Sequence, residues 1–136
     1  MSETAEDAEA PVAETPFDQI GGAERVQAVV EAFYDLMDSD PAYARLRAIH
    51  APDLTPMRAS LAGFLTGWLG GPRDWFAARP GVCMMSLHRS MPIDAELARQ
   101  WTDAMGRALD QVGVEAEMAQ ALREVFGRMS GNMTTR

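Results

Sequence analysis

The stretch Thr55-Pro56-Met57-Arg58-Ala59-Ser60-Leu61-Ala62-Gly63-Phe64-Leu65-Thr66-Gly67-Trp68-Leu69-Gly70-Gly71-Pro72 decides the fold class. It opens with threonine then proline, the pairing of N-cap and first helical position that starts a helix. Met57, Leu61, Phe64, Leu65 and Trp68 recur at three- and four-residue steps, so a helix gathers them on one face. Gly70-Gly71-Pro72 is a glycine stop followed by a residue that cannot continue a helix. The segment reads as one amphipathic helix with both ends marked.

The same period continues on both sides. Upstream, Val26, Val29, Val30, Phe33 and Met37 form an apolar stripe that follows the break at Gly21-Gly22. Asp40-Pro41 starts a short segment through Ile49, and Pro52 marks a loop. Downstream, Trp75, Phe76, Pro80 and Gly81 lie in a stretch that reads as loop, followed by Val82 to Met91 and then Pro92. Asp94 caps a helix carrying Leu97, Trp101, Met105, Ala108 or Leu109, and Val112, and Gly113 closes it. A last helix runs from about Glu115 to Met129, with Met118, Leu122, Val125 and Phe126 inward. Strand-like alternation and internal repeats are not found. The expectation is an all-α domain of about five or six helices.

The chain of 136 residues is one domain long, and its 47% hydrophobic and 24% charged residues are a globular balance. No run approaches the roughly 20 apolar residues that span a bilayer. A single cysteine, Cys83, excludes a disulfide framework. The net charge is −8, from 20 acidic and 12 basic residues, and every basic residue is arginine. Such a chain suits neither nucleic acid nor an anionic membrane, both of which require basic patches. Without lysine it has no Schiff-base or P-loop chemistry. Glu3, Glu6, Asp7, Glu9 and Glu14 all lie in residues 1–16, with no basic residue among them. That segment is expected to be a disordered acidic tail, leaving a domain over 17–136. The beginning lacks the positive charge and apolar run of an export signal, so a cytoplasmic protein is expected.

Only two histidines, His50 and His88, are available. A three-histidine metal site is therefore impossible, and Cys83 with His88, five apart, is not zinc spacing. Ser86 near His88 has no nucleophile elbow around it. One imidazole is still a complete protein ligand for one cofactor, haem iron. His88 lies in the apolar run Met84-Met85-Ser86-Leu87-His88-Arg89-Ser90-Met91, where Arg89 can meet a haem propionate. Taken alone, these residues favour the plainer reading of a packed, hydrogen-bonded core histidine.

The order of the motifs shifts that balance. From Phe17 to about Met129 the sequence resembles a group II truncated haemoglobin. Phe17-Asp18-Gln19-Ile20-Gly21-Gly22 matches the glycine pair that leads into the family's second helix. Phe33-Tyr34-Asp35-Leu36-Met37 and Leu46-Arg47-Ala48-Ile49-His50 follow. Phe64 to Pro72 supplies the second glycine pair, after the distal helix. His88 with Pro92-Ile93 stands where the family has its proximal histidine, and Trp101 occupies its characteristic tryptophan position.

The resemblance implies a two-over-two helical sandwich around haem b, with His88 as the iron ligand. It places Tyr34, His50 and Trp101 on the opposite side, around a bound diatomic ligand (O2, CO or NO). Tyr34 and Trp101 carry donors, and His50 can donate or accept. Met57 and Leu61 match the distal-helix positions facing that ligand, and neither offers a useful hydrogen bond. Phe64, Leu65 and Met84 would wall the pocket, with Arg89 at a propionate. Members of the family often carry a basic residue three before the proximal histidine. Here that residue is Met85, and Arg89 and Arg79 are the substitutes. No catalytic residue follows from the resemblance. Gas binding is the first reading, with NO dioxygenase or peroxidase-like chemistry as the alternative. The chain has no flavin or nicotinamide segment, so turnover would need an external reductant. A haem-free helical interaction module is the reading from another class.

Overall fold

The computed structural model describes residues 14–80, 93–132 and 134; residues 1–13 of the expected tail over 1–16 and the run from Val82 to Met91 lie outside them, whereas Thr15 and Pro16 belong to the start of the first helix. Helix α1 is Pro16–Ile20. The Thr15 hydroxyl accepts from the Asp18 N–H at 3.1 Å while the Asp18 carboxylate accepts from the Thr15 N–H at 3.4 Å, a reciprocal capping box. Gly21 and Gly22 take φ of +118° and +80°, a region disfavoured for side-chain-bearing residues, and so turn the chain into α2, Gly22–Ser39. Asp40 caps a 3₁₀ turn, Pro41–Tyr43, which runs into α3, Ala44–Ala48.

Helix α4 is Thr55–Trp68. Its cap position is Leu54 rather than the expected Thr55, because the Asp53 carboxylate takes the Thr55 N–H at 3.0 Å. The stretch read as loop after Pro72 contains a short helix, α5, Asp74–Ala77. Its aromatic side chains explain it. Trp75 and Phe76 lie against Gly63 and Gly67, one turn apart on α4, where a Cβ would come within 2.8 Å and 2.6 Å of their rings. Asp94 accepts from the Leu97 N–H at 2.9 Å and starts α6, Ala95–Val112, which Gly113 ends at φ +86°. The Glu115 carboxylate accepts from the N–H groups of Glu117 and Met118, and α7 runs Ala116–Asn132, three residues beyond the expected end. Among the described residues there is no strand, and no helix is long and apolar enough to cross a membrane.

Helix α2 packs on both α4 and α6, and α6 lies along α7, which makes the sandwich two helices over two. Val26, Val30, Phe33, Met37, Met105 and Leu109 are almost wholly buried between them. Each such side chain contributes roughly 1.5–3 kcal/mol by leaving water. Ile20, Val26, Leu65, Leu69, Leu109 and Phe126 border a small apolar cavity among α1, α2, α4, α6 and α7. Helix α1 docks at the end of α4: the Phe17 N–H donates to the Leu69 carbonyl at 2.9 Å, and the Phe17 ring covers Gly71 so closely that a Cβ there would meet it at 2.7 Å.

A polar cluster fixes the segment that leads to His50. Tyr43 is buried, and its hydroxyl donates to Asp103 at 2.5 Å and accepts from Arg107 at 3.0 Å. Arg107 also bonds Asp40 at 2.7 Å. The buried Gln100 side chain accepts from the Leu46 N–H at 3.2 Å and donates to Glu96 at 3.0 Å. Buried polar groups that are satisfied in this way specify one arrangement, and this one ties Pro41–Ala48 to α6.

Candidate functional site

Tyr34 lies mid-way along α2 and is 2% exposed. Burial pushes its phenol up to about 12, and the nearby Arg58 charge acts in the opposite direction. The hydroxyl therefore keeps its proton throughout the neutral range. None of the described residues forms a hydrogen bond to it, which is unusual for a buried phenol.

His50 stands beside it, half-buried, its ring edge-on to Tyr34 with centroids 6.0 Å apart. Its Nδ1 lies 2.8 Å from the Leu46 carbonyl. A carbonyl only accepts, so Nδ1 carries the hydrogen, and in the neutral ring Nε2 is an acceptor. The sequence left His50 able to donate or accept; this contact assigns the accepting role to the far nitrogen whenever the ring is neutral.

Phe33 joins Tyr34 to Trp101. It is fully buried, with its ring 4.8 Å from Tyr34 and 5.7 Å from Trp101, edge-on to both. Trp101 on α6 then meets Phe126 of α7 at 5.5 Å, and Phe126 stacks on Trp68 of α4 at 5.6 Å. Trp68 stacks on Phe64, which touches both Trp75 and Phe76 at 5.6 Å. One continuous file of rings thus runs from His50 through the sandwich to α5. Edge-to-face ring pairs are directional, each worth about 0.5–1.5 kcal/mol beyond burial, so the file holds Tyr34 and Trp101 at a fixed spacing. The Trp101 indole N–H, like the Tyr34 hydroxyl, has no hydrogen-bond partner among the described residues.

The other residues expected at the site divide. Met57 is exposed and Leu61 half-buried, both on α4. Phe64 belongs to the ring file, whereas Leu65 turns to the apolar cavity with Ile20 and Leu109. Met84, His88 and Arg89 lie outside the described residues. The Arg79 guanidinium sits 4.5 Å above the Trp75 ring and donates to the Trp75 carbonyl at 3.1 Å.

Two contributors were not singled out in the sequence. Phe33 was read as part of an apolar stripe and of the motif that carries Tyr34, with no role of its own at the site. Arg58 was passed over between Met57 and Leu61, yet it bridges α4 to α2 on either side of Tyr34: Nη1 donates to Glu31 and Nη2 to Asp35. Pulled by Arg58 and Gln27, the Glu31 carboxyl is held below its ordinary range.

Among the described residues no group of histidine, cysteine and acidic side chains could hold a bare metal ion. Two aromatic donors without partners among the described residues, beside aromatic and aliphatic side chains, instead suit a flat apolar cofactor that presents a small polar ligand. Comparison with known proteins agrees. A family model described as bacterial-like globin matches residues 15–135. The group 2 truncated hemoglobin YjbI of Bacillus subtilis is 33% identical over 114 residues, covering 84% of this chain and 81% of that protein. The group II 2-on-2 hemoglobin of Agrobacterium tumefaciens superposes with a TM-score of 0.87 at 30% identity, covering 93% of this chain and 98% of that one. The cold-adapted truncated hemoglobin of Pseudoalteromonas haloplanktis gives 0.86 at 29% identity, covering 90% and 99%. The chain belongs to the bacterial-like globins, among the group II truncated haemoglobins, with haem as its cofactor.

Proposed function

We propose that this globin holds O2 and other diatomic ligands tightly, with His88 as the residue that would hold the haem iron and Tyr34, His50 and Trp101 as the polar side chains that would meet the bound gas. The observation that carries this reading is the buried Tyr34 hydroxyl, which keeps its proton and has no hydrogen-bond partner among the described residues. Bound haem supplies the iron to which the gas attaches. Every other contribution comes from the chain. Tyr34 and Trp101 each offer a hydrogen to a ligand atom that carries partial negative charge. His50 has its Nδ1–H committed to Leu46, so while neutral its far nitrogen accepts from a ligand that carries a hydrogen. Leu61 and Phe64 from α4, with Met84, would exclude water from the pocket, and Arg89 would neutralise a propionate.

Each buried hydrogen bond nets about 0.5–1.5 kcal/mol. At about 1.4 kcal/mol per tenfold, each slows release of the ligand by roughly 2- to 10-fold. The test is oxygen dissociation, followed by replacement with CO, in Y34F and W101F. Both variants should release oxygen faster by about that factor. Unchanged rates in both would overturn the polar-site reading while leaving haem binding intact.

A further inference from the structure

We infer that Arg58 is a positioning residue for Tyr34: it clamps α4 to the stretch of α2 on either side of the phenol and holds its hydroxyl where a bound gas meets it. The inference rests on the reading of Tyr34 as a ligand contact. One guanidinium makes all the connections. Nη1 donates to the Glu31 carboxylate at 2.5 Å and reaches the Glu31 carbonyl at 3.4 Å. Nη2 donates to the Asp35 carboxylate at 3.1 Å. Its central carbon lies 5.7 Å from the centre of the Tyr34 ring, within the range of a cation–π attraction.

The spacing gives the clamp its consequence. Glu31 is three residues before Tyr34 and Asp35 one after it, so Arg58 grips α2 on both sides of the phenol. Gln27 braces Glu31 from the next turn at 2.7 Å. On its own helix Arg58 follows Met57 directly and stands one turn before Leu61, so the same grip sets the α4 face that bears both.

An ordinary surface ion pair is worth little, because two mobile side chains must be held for one contact. Here both carboxylates are exposed, but the Arg58 side chain is only 23% exposed, and its planar fork meets the two carboxylates and a ring in a single placement. The guanidinium charge stabilises negative charge on the Tyr34 oxygen and so partly offsets the larger effect of burial, which holds the proton on.

The test compares the C–O stretching band of the ferrous carbonmonoxy protein in wild type, R58M, Y34F and the double variant, with R58K as the conservative control. This band reports the field at the ligand and is independent of turnover. If Arg58 positions Tyr34, the R58M band shifts most of the way to the Y34F position or splits in two. R58K then stays near wild type, and R58M adds nothing in the Y34F background. Oxygen release from R58M should speed up by roughly 2- to 10-fold, the effect of weakening one hydrogen bond. An R58M band at the wild-type position, with only a lowered melting temperature, would make Arg58 purely structural and overturn the inference. The same shift with and without Tyr34 would also overturn it, since Arg58 would then act directly. A Y34F band unchanged from wild type would instead sink the reading of Tyr34, and this inference with it. Should R58M not fold, E31Q combined with D35N loosens the same clamp and is read in the same way.

Discussion

Replacing Tyr34 with phenylalanine removes one oxygen atom from a side chain that is 2% exposed and has no hydrogen-bond partner among the described residues. A buried polar group left unsatisfied costs about 1–3 kcal/mol. The phenylalanine ring keeps the edge contacts to Phe33 at 4.8 Å and to His50, so little packing is lost. The deoxygenated ferrous Y34F protein should therefore be more stable than wild type by roughly 1–2 kcal/mol. For a chain of this length that is a rise in melting temperature of roughly 3–8 °C. In the carbonmonoxy or oxygenated form the hydroxyl has gained its partner, so the advantage of Y34F should shrink or reverse. The assay is thermal unfolding by circular dichroism, run on deoxygenated and ligand-bound forms of both proteins. A deoxygenated Y34F protein that melts several degrees below wild type would refute the reasoning. The hydroxyl would then be paired in the resting fold and not reserved for a ligand. Stability given up at a functional position is a common pattern in proteins.

Gly67→Ala should destabilise by about 1–3 kcal/mol, because its Cβ would stand 2.6 Å from the Phe76 ring. Gly131→Ala, where nothing lies within 4 Å, should be neutral or slightly stabilising; denaturant unfolding of both variants, compared with wild type, checks the pair. Tyr34 also makes stability depend on alkaline pH. Its folded value of about 12 lies above the ordinary tyrosine value near 10, so between the two the unfolded chain releases a proton that the fold retains. The contribution is fully present below pH ~10 and is lost as pH rises toward 12, by up to roughly 2–3 kcal/mol. Urea midpoints measured from pH 8 upward should fall more steeply in wild type than in Y34F, and equal slopes would show that Tyr34 is not the group responsible.

The helices were legible because their signals are local. Apolar residues three and four apart marked α2, α4, α6 and α7, and Asp94 and Gly113 marked both ends of α6. The errors came from contacts that no local pattern encodes. Thr55 has the chemistry of a cap, but Asp53 stood close enough to take its N–H. Helix α5 is four residues long, too short to show a period, and it exists because two glycines one turn apart on α4 admit Trp75 and Phe76. The proposed site was named from the sequence as separate residues, without their connections. Tyr34, His50 and Trp101 could be named from the order of motifs, whereas the roles of Phe33 as the spacer and Arg58 as the clamp depend on how α2 meets α4 and α6. The direction of the His50 hydrogen bond required the Leu46 carbonyl to be in place.

The most direct measurement of the proposed ligation is the absorption spectrum of the purified protein, ferric and then reduced under CO, beside a His88→Ala variant. A strong haem band that shifts on reduction and with CO, and is lost or altered in the variant, is the result expected if His88 is the axial ligand. An identical band and CO shift in H88A would show that another residue holds the iron, and no band even after added hemin would contradict haem binding by this chain altogether.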